Sequence, residues 1–356
     1  MNRFLTSLSI AILPLAAAPG PADAQVYPER VSIAMKARTL VDNARAYQRR
    51  SREDDREQQT ERTTKVIRVG ADGALALGNI AGDITVTRVN GADATVEIVK
   101  IARGRTVEDA QELLRLVPVE VTERNGRAEV RTRYPSGEPQ RGSRRNGNVT
   151  VAYNVTAPAG TRLSLDSISG TIKVSDIKGD LSASSISGDV RISGAGRIGS
   201  AKSISGTIDI SDTQAEGAVA GSSVSGDVMF RRVTARRLDG SSVSGNIRVE
   251  DAQSERVSAQ TTSGSVWFGG TLARSGRYEL KSFSGEVRVL LAGTTGFEVD
   301  ANSFSGEVRT DLPLQRRGDS EPNRRGRRTT LRGTYGDGAA VLDVTTFSGS
   351  IVIARK

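Results

Sequence analysis

The chain has 356 residues, no histidine, no cysteine and a formal net charge of +9. Without histidine there is no Ser-His-Asp triad, His-ligated zinc or imidazole base, and without cysteine there is no disulfide, thiolate nucleophile or acylated lipobox. The basic excess is mostly arginine, since only eight of the fifty basic residues are lysine, which for an exported chain points to lipid head groups, acidic glycans or wall polymers rather than nucleic acid.

Residues 1–24 read as a cleaved secretory signal: Arg3, an apolar run from Phe4 to Ala18, then small residues ending in Ala22-Asp23-Ala24. About 15 apolar residues fall short of the roughly 20 that a spanning helix needs. The expectation is therefore an exported chain with no transmembrane span after cleavage, in the periplasm or at the cell surface. Residues 25–63 contain "RAYQRRSREDDREQQTERTT", dense in mixed charge with little to bury, which predicts a solvated helix or a disordered linker.

Residues 64–160 carry strand patterns in "GALALGNIAGDITVTR" and "ATVEIVKI", then a helix over 106–117, then strands near 118–133 and 148–156. Thr106 is placed as the helix N-cap, with Val107, Ala110, Leu113, Leu114 and Val117 on one face. A helix here is expected to cover the open edge of the sheet that follows.

Residues 161–356 are a repeat. The phrase S-x-S-G, or a close variant, ends at Ser169-Gly170, Ser187-Gly188, Ser205-Gly206, Ser225-Gly226, Ser244-Gly245, Ser263-Gly264, Ser284-Gly285, Ser305-Gly306 and Ser348-Gly349, at gaps of 18, 18, 20, 19, 19, 21, 21 and 43 residues. Apolar residues two and four positions after each glycine give a strand with one buried face. Residues two before it (Ile168, Ile186, Ile204, Val224, Val243, Thr262, Phe283, Phe304 and Phe347) share that parity and are expected to point inward, the phenylalanines filling wider coils. Seven and five before it lie residues of the opposite parity, such as Leu163 and Leu165, so a corner is expected near the first serine. Gly82, with Ile80, Leu77, Leu75, Ile84 and Val86 at the same offsets, marks an earlier copy. The fold class read from this is all-β: a single-chain β-solenoid of about 19–21-residue coils with a small N-terminal α/β cap.

The pattern "LGNIAGDITVTR", a basic "KIARGR", a short helix and successive S-x-S-G coils resembles a bacterial "putative adhesin" domain of unknown function, over roughly residues 64–356. The resemblance implies a β-solenoid on exported or envelope-associated proteins, and it supplies no catalytic residues.

The candidate chemistry is sparse. Serine and glycine suit bends, so Ser187 and its copies read as structural. A Ser-x-x-Lys match at Ser175 and Lys178 lacks the companion motifs of penicillin-recognising enzymes. Hydroxyl columns could order water as ice-binding faces do, but serine lacks the methyl groups such a face wants. The enzymatic alternative, a polysaccharide lyase or hydrolase, needs clustered carboxylates, whereas Asp189, Asp227, Glu286 and Glu307 are scattered. No cofactor or metal site is expected. A binding face has more support: the position three after each glycine includes Arg191, Arg248, Arg288 and Arg309 around the only tryptophan, Trp267, a strip fitted to acidic glycans. A basic loop inserted at about 312–338, which reads either as a contact loop or as a plain disordered insertion, adds Arg316, Arg317, Arg324, Arg325, Arg327 and Arg328. Self-assembly through a terminal strand at Ile351 to Ile353 is a third reading, opposed by the basic residues at the chain end.

Overall fold

The structure, a computed structural model, describes residues 57–135, 149–316 and 329–356. The signal segment, most of the charged linker, the loop "SGEPQRGSRRNGN" and Arg317 to Arg328 lie outside the described residues. Glu57–Lys356 forms one compact unit. It is almost all β, with one α-helix among the described residues.

Each repeat contributes two strand segments, which run together across a corner in Val228–Ser242 and Ile247–Ser263, and each segment pairs in parallel with its counterpart in the neighbouring repeats. Asp180–Ser185 lies between Arg162–Ser169 and Arg197–Ser203, and Val190–Ser193 lies between Ile172–Ser175 and Ile208–Gln214. Because the register repeats, every offset in the sequence becomes a column across the stack. Leu163, Leu181, Ile198, Val219, Leu238, Val257 and Tyr278 align on the first strand, and Ile172, Val190, Ile208, Val228, Ile247, Val266 and Val287 on the second. All of these are buried, so the core is a set of continuous apolar columns. Phe230 fits because its neighbours are small: a Cβ on Gly240 would come within 3.0 Å of its ring, and one on Gly221 within 3.2 Å.

The spatial order departs from the chain order at both ends. Ala340–Ser348 is inserted between Arg277–Ser284 and Phe297–Ser305, so the rung of Gly349 separates those of Gly285 and Gly306. Ile351–Arg355 pairs on both sides, with Val287–Ala292 and with Val308–Thr310. The final strand is therefore interior, which corrects the reading of Ile351 to Ile353 as an open edge for self-assembly. At the other end the rung of Gly82 lies between Arg162–Ser169 and Arg127–Thr132 on its first strand, and between Ile172–Ser175 and Val149–Pro158 on its second.

The bend also differs from the sequence expectation. The inward parity of the first strand continues through the first serine of S-x-S-G, so Ser167, Ser185, Ser203, Ser223, Ser242, Thr261, Ser282, Ser303 and Thr346 are buried. The corner falls in the three residues that follow. The middle residues, expected inward, face solvent instead: Ile204 is 49% and Phe283 56% exposed, and Ile168, Ile186, Val224, Val243, Thr262, Phe304 and Phe347 are exposed too. The phenylalanines do not fill wider coils. They stack on one another outside, with Phe347 between Phe283 and Phe304 at centroid distances of 4.9 and 4.7 Å and nearly parallel rings.

A second corner follows the second strand. Asp176, Asp212, Arg232 and Asp251 occupy it with φ of 60, 49, 51 and 51°, the left-handed region that short polar residues tolerate best. Near the N-terminus, strand Glu57–Arg68 pairs antiparallel with Asp93–Gly104, which pairs antiparallel with Val149–Pro158. Glu57–Thr63 is thus strand, not the solvated helix or linker expected there. Helix α1, Val107–Leu116, packs chiefly on this antiparallel pair. Thr106 caps it by accepting the Asp109 N–H at 3.2 Å, and Ala110, Leu113, Leu114 and Val117 are buried, whereas Val107 is exposed.

Candidate functional site

The repeated hydroxyls act on the backbone. Ser203 Oγ donates to the Gly188 carbonyl at 3.1 Å and accepts the Gly206 N–H at 2.8 Å. Ser223 and Ser242 repeat both bonds one and two rungs on, at 2.9–3.0 Å. Thr346 Oγ1 donates to Gly285 O and Ser303 Oγ to Gly349 O, so the column follows the spatial order and not the chain order. The glycines bring rungs together more closely than a side chain allows: a Cβ on Gly206 would sit 2.1 Å from Gly188 O. Ser187 and the other serines directly before glycine are exposed, and among the described residues none has a side-chain hydrogen bond to a general base. Ser175 and Lys178 do not pair: Ser193 Oγ donates to Ser175 Oγ at 3.3 Å, and Lys178 Nζ donates to Gly194 O at 2.6 Å.

The aspartates that follow some of the glycines serve the same stack. Asp189 Oδ1 accepts the Thr207 N–H at 2.9 Å, and its other oxygen accepts from Arg191 at 2.8 Å. Asp83 and Asp227 accept the N–H of Thr171 and Asn246 in the same way.

The arginine-tryptophan strip expected from the sequence does form one column. Arg191 aligns with Asp209, then Met229, Arg248, Trp267, Arg288, Val352 and Arg309. Its charge is largely neutralised within each coil. Arg191 pairs with Asp189, Arg248 with Glu250 at 3.5 Å, Arg288 with Glu286 at 2.9 Å and Arg309 with Glu307. The Arg248 guanidinium also lies 5.4 Å from the Trp267 ring centroid, so the tryptophan face is taken. Of the basic loop, Arg316 ends the short strand Gln315–Arg316, while Arg317, Arg324, Arg325, Arg327 and Arg328 are outside the described residues. At the second corner, Arg232 forks onto Asp212 at 2.6 and 2.9 Å and holds that carboxyl below its ordinary range.

Two surface columns escaped the sequence reading. One is the apolar ridge of middle residues described above, from Ile168 to the phenylalanine stack. The other lies eight or nine positions before each glycine, at the start of the first strand. In spatial order it reads Arg127, Ala74, Arg162, Asp180, Arg197, Ala218, Arg237, Arg256 and Arg277. All six arginines are exposed. Arg197 lies 3.7 Å from Asp180 and Arg237 binds Asp239, but Arg127, Arg162, Arg256 and Arg277 have no counter-ion among the described residues. The first rungs of this column border an open groove of about 1350 Å³, walled on one side by the hairpin Val119–Arg124 and Arg127–Thr132. A search at that fixed offset would have found the arginines. The groove needs the fold, because the hairpin precedes the regular repeats in sequence.

A family model described as Toastrack DUF4097 matches residues 141–267 and again residues 202–354. No curated protein matches the chain. Among solved structures, a "Putative lipid binding protein" from Parabacteroides distasonis ATCC 8503 is 11% identical, covers 83% of this chain and 97% of its own, and has a TM-score of 0.48. A "putative adhesin" from Bacteroides fragilis NCTC 9343 is 13% identical over the same shares, with a TM-score of 0.40.

Proposed function

The chain belongs to the Toastrack DUF4097 family, and we propose that it is an exported, non-enzymatic β-solenoid that presents repetitive columns of side chains to components of the cell envelope. The observation that carries this reading is the register. An offset fixed in the repeat becomes a line of side chains spanning the stack, the geometry of an extended binding surface. The acidic residues weighed for an enzyme acting on polysaccharide have other partners: Asp189 and Asp227 accept backbone N–H groups of the next rung, and Glu286 and Glu307 pair with Arg288 and Arg309 in their own coils. The net charge of +9 favours anionic partners. Cleavage of residues 1–24 and residence in the periplasm or at the surface belong to the same proposal.

Expression of the full chain in a Gram-negative host tests export: the recovered periplasmic protein begins at Gln25. The purified protein is then incubated with peptidoglycan sacculi, acidic polysaccharide and anionic vesicles. Binding to at least one, weakened by salt, is expected. Binding to none at low salt overturns the reading, and release of new chain ends from a polysaccharide replaces it with the enzymatic alternative.

A further inference from the structure

We infer that the arginine column beside the hairpin is the ligand site, and that its ligand is an extended acidic polysaccharide lying along the first rungs in the groove. This rests on the envelope-binding reading and goes further by naming the face and the chemistry. Arg127, Arg162 and Arg197 recur on alternate rungs. With strands about 4.8 Å apart, their spacing is roughly 9.6 Å. A linear polymer whose anionic groups recur at that distance, or at half of it so that alternate groups match, meets a guanidinium at each such point. Arg124 and Arg236 also line the groove, against Glu129, Asp180 and Glu216. Glu129 is paired with Arg131 and Asp180 lies near Arg197, which leaves the unpaired guanidinium of Arg162 in the middle of the line. An exposed arginine without a carboxylate retains its planar fork of donors for a carboxylate, sulfate or phosphate.

The floor selects among polyanions. It is made of small residues, Ala74, Ala76, Gly199 and Ala218, with the hydroxyls of Ser164 and Ser182. The larger lining residues, Leu75, Leu163, Leu181 and Ile198, are buried, so the apolar surface of the groove is that of small residues and side-chain stems and not a slot between large side chains. No aromatic ring lines the groove, so it lacks the stacking platform by which single-stranded nucleic acid is held. Small residues and hydroxyls beneath a row of cations suit a flat, hydroxylated, charged chain.

The contrast with the Trp267 strip supplies the control. There every arginine has an acidic partner in its own coil, whereas in the groove line only Arg197 has a carboxylate nearby; replacing three arginines lowers the net charge equally in both sets, so the comparison separates the site from overall charge.

Binding of the full chain to polygalacturonate, with neutral dextran as reference, tests the inference. An exposed charge pair contributes up to about fivefold; at about threefold for each of three arginines, the triple variant Arg127→Ser, Arg162→Ser, Arg197→Ser is expected to bind roughly 30-fold more weakly. Its affinity should also depend less steeply on salt. The control Arg191→Ser, Arg248→Ser, Arg288→Ser should bind within about threefold of the parent, and a matching circular dichroism melt of both variants shows that each is folded. Equal loss in the two variants, or no loss in the first, overturns the site. Parent protein that binds sacculi or anionic vesicles but not polygalacturonate overturns the polysaccharide while leaving the envelope reading standing. Parent protein that binds nothing overturns both.

Discussion

Ser203→Ala removes a hydroxyl buried between two rungs, where it donates to Gly188 O and accepts from Gly206 N–H. Both partners belong to a contact so close that a Cβ on Gly206 would stand 2.1 Å from Gly188 O. No water can replace the hydroxyl without the rungs parting. Two hydrogen bonds at about 0.5–1.5 kcal/mol each give an expected loss of about 1–3 kcal/mol. Ser205→Ala, two residues on, alters an exposed side chain and should stay within about 0.5 kcal/mol. Ser203→Thr keeps the hydroxyl, and Thr261 and Thr346 already occupy the same column, so it should recover most of the loss. Urea unfolding reads all three, with the midpoint shift compared at unchanged slope. Equal shifts for Ser203→Ala and Ser205→Ala would refute the assignment of the buried serine as the rung's fastener, as would Ser203→Thr proving as damaging as alanine.

Gly206→Ala drives a methyl into backbone and should cost more than about 3 kcal/mol, or prevent folding, while Gly217→Ala, with nothing within 4 Å of its Cβ, should be near neutral; soluble yield and melting temperature distinguish them. Phe347→Ala breaks both ring contacts of the external stack, so a loss of about 1–3 kcal/mol is expected in the same urea assay. Burial pushes the Tyr153 phenol up to about 12 and raises those of Tyr134 and Tyr278. A raised folded-state pKa gives stability that is complete below the ordinary value of 10.0 and is lost as pH climbs toward about 12, so unfolding between those limits should steepen with pH, less so in Tyr153→Phe.

The period, the two strands of each repeat and their buried faces were legible because apolar residues alternate with polar ones at fixed distances from each glycine. The direction of the bend was not. An isoleucine or phenylalanine between two serines reads as an inward residue when burial is judged by side chain alone. The backbone decides otherwise: the tight glycine contact leaves an N–H and a carbonyl to be satisfied inside, and only the serine three before the glycine can reach both. The apolar residue is turned out, and in the last rungs it finds contacts on its own copies. The binding strip was half legible. Its alignment follows from the repeat, but its neutralisation depends on acids two residues away, Asp189, Glu250, Glu286 and Glu307; in the sequence Asp189, Glu286 and Glu307 read as scattered carboxylates and not as partners, and Glu250 carries no signal.

The out-of-order rungs bear on both folding and assembly. The gap of 43 residues before Gly349 shows that something intervenes, but no local pattern says that the last unit returns between two earlier ones. Until Ala340–Arg355 arrives, the units of Gly285 and Gly306 have no shared partner, so that end closes through contacts distant in sequence, a slow step by loop-closure entropy. The same device holds the other end, where the rung of Gly82 is enclosed by Arg127–Thr132 and Val149–Pro158 on one side and by Arg162–Ser169 and Ile172–Ser175 on the other. Beyond the enclosed rungs both ends turn antiparallel: Thr329–Tyr335 pairs with Phe297–Ser305, and Asp93–Gly104 with Val149–Pro158. A second copy adding in parallel register would find only the three residues of Val308–Thr310 in the form the interior repeats present. Stack length is thus set by the chain, and removing Ile351–Lys356 should expose two parallel strands at once. The expected outcome is lower stability and concentration-dependent association by light scattering; a truncated protein as stable and as monomeric as its parent would show that the interior strand closes nothing.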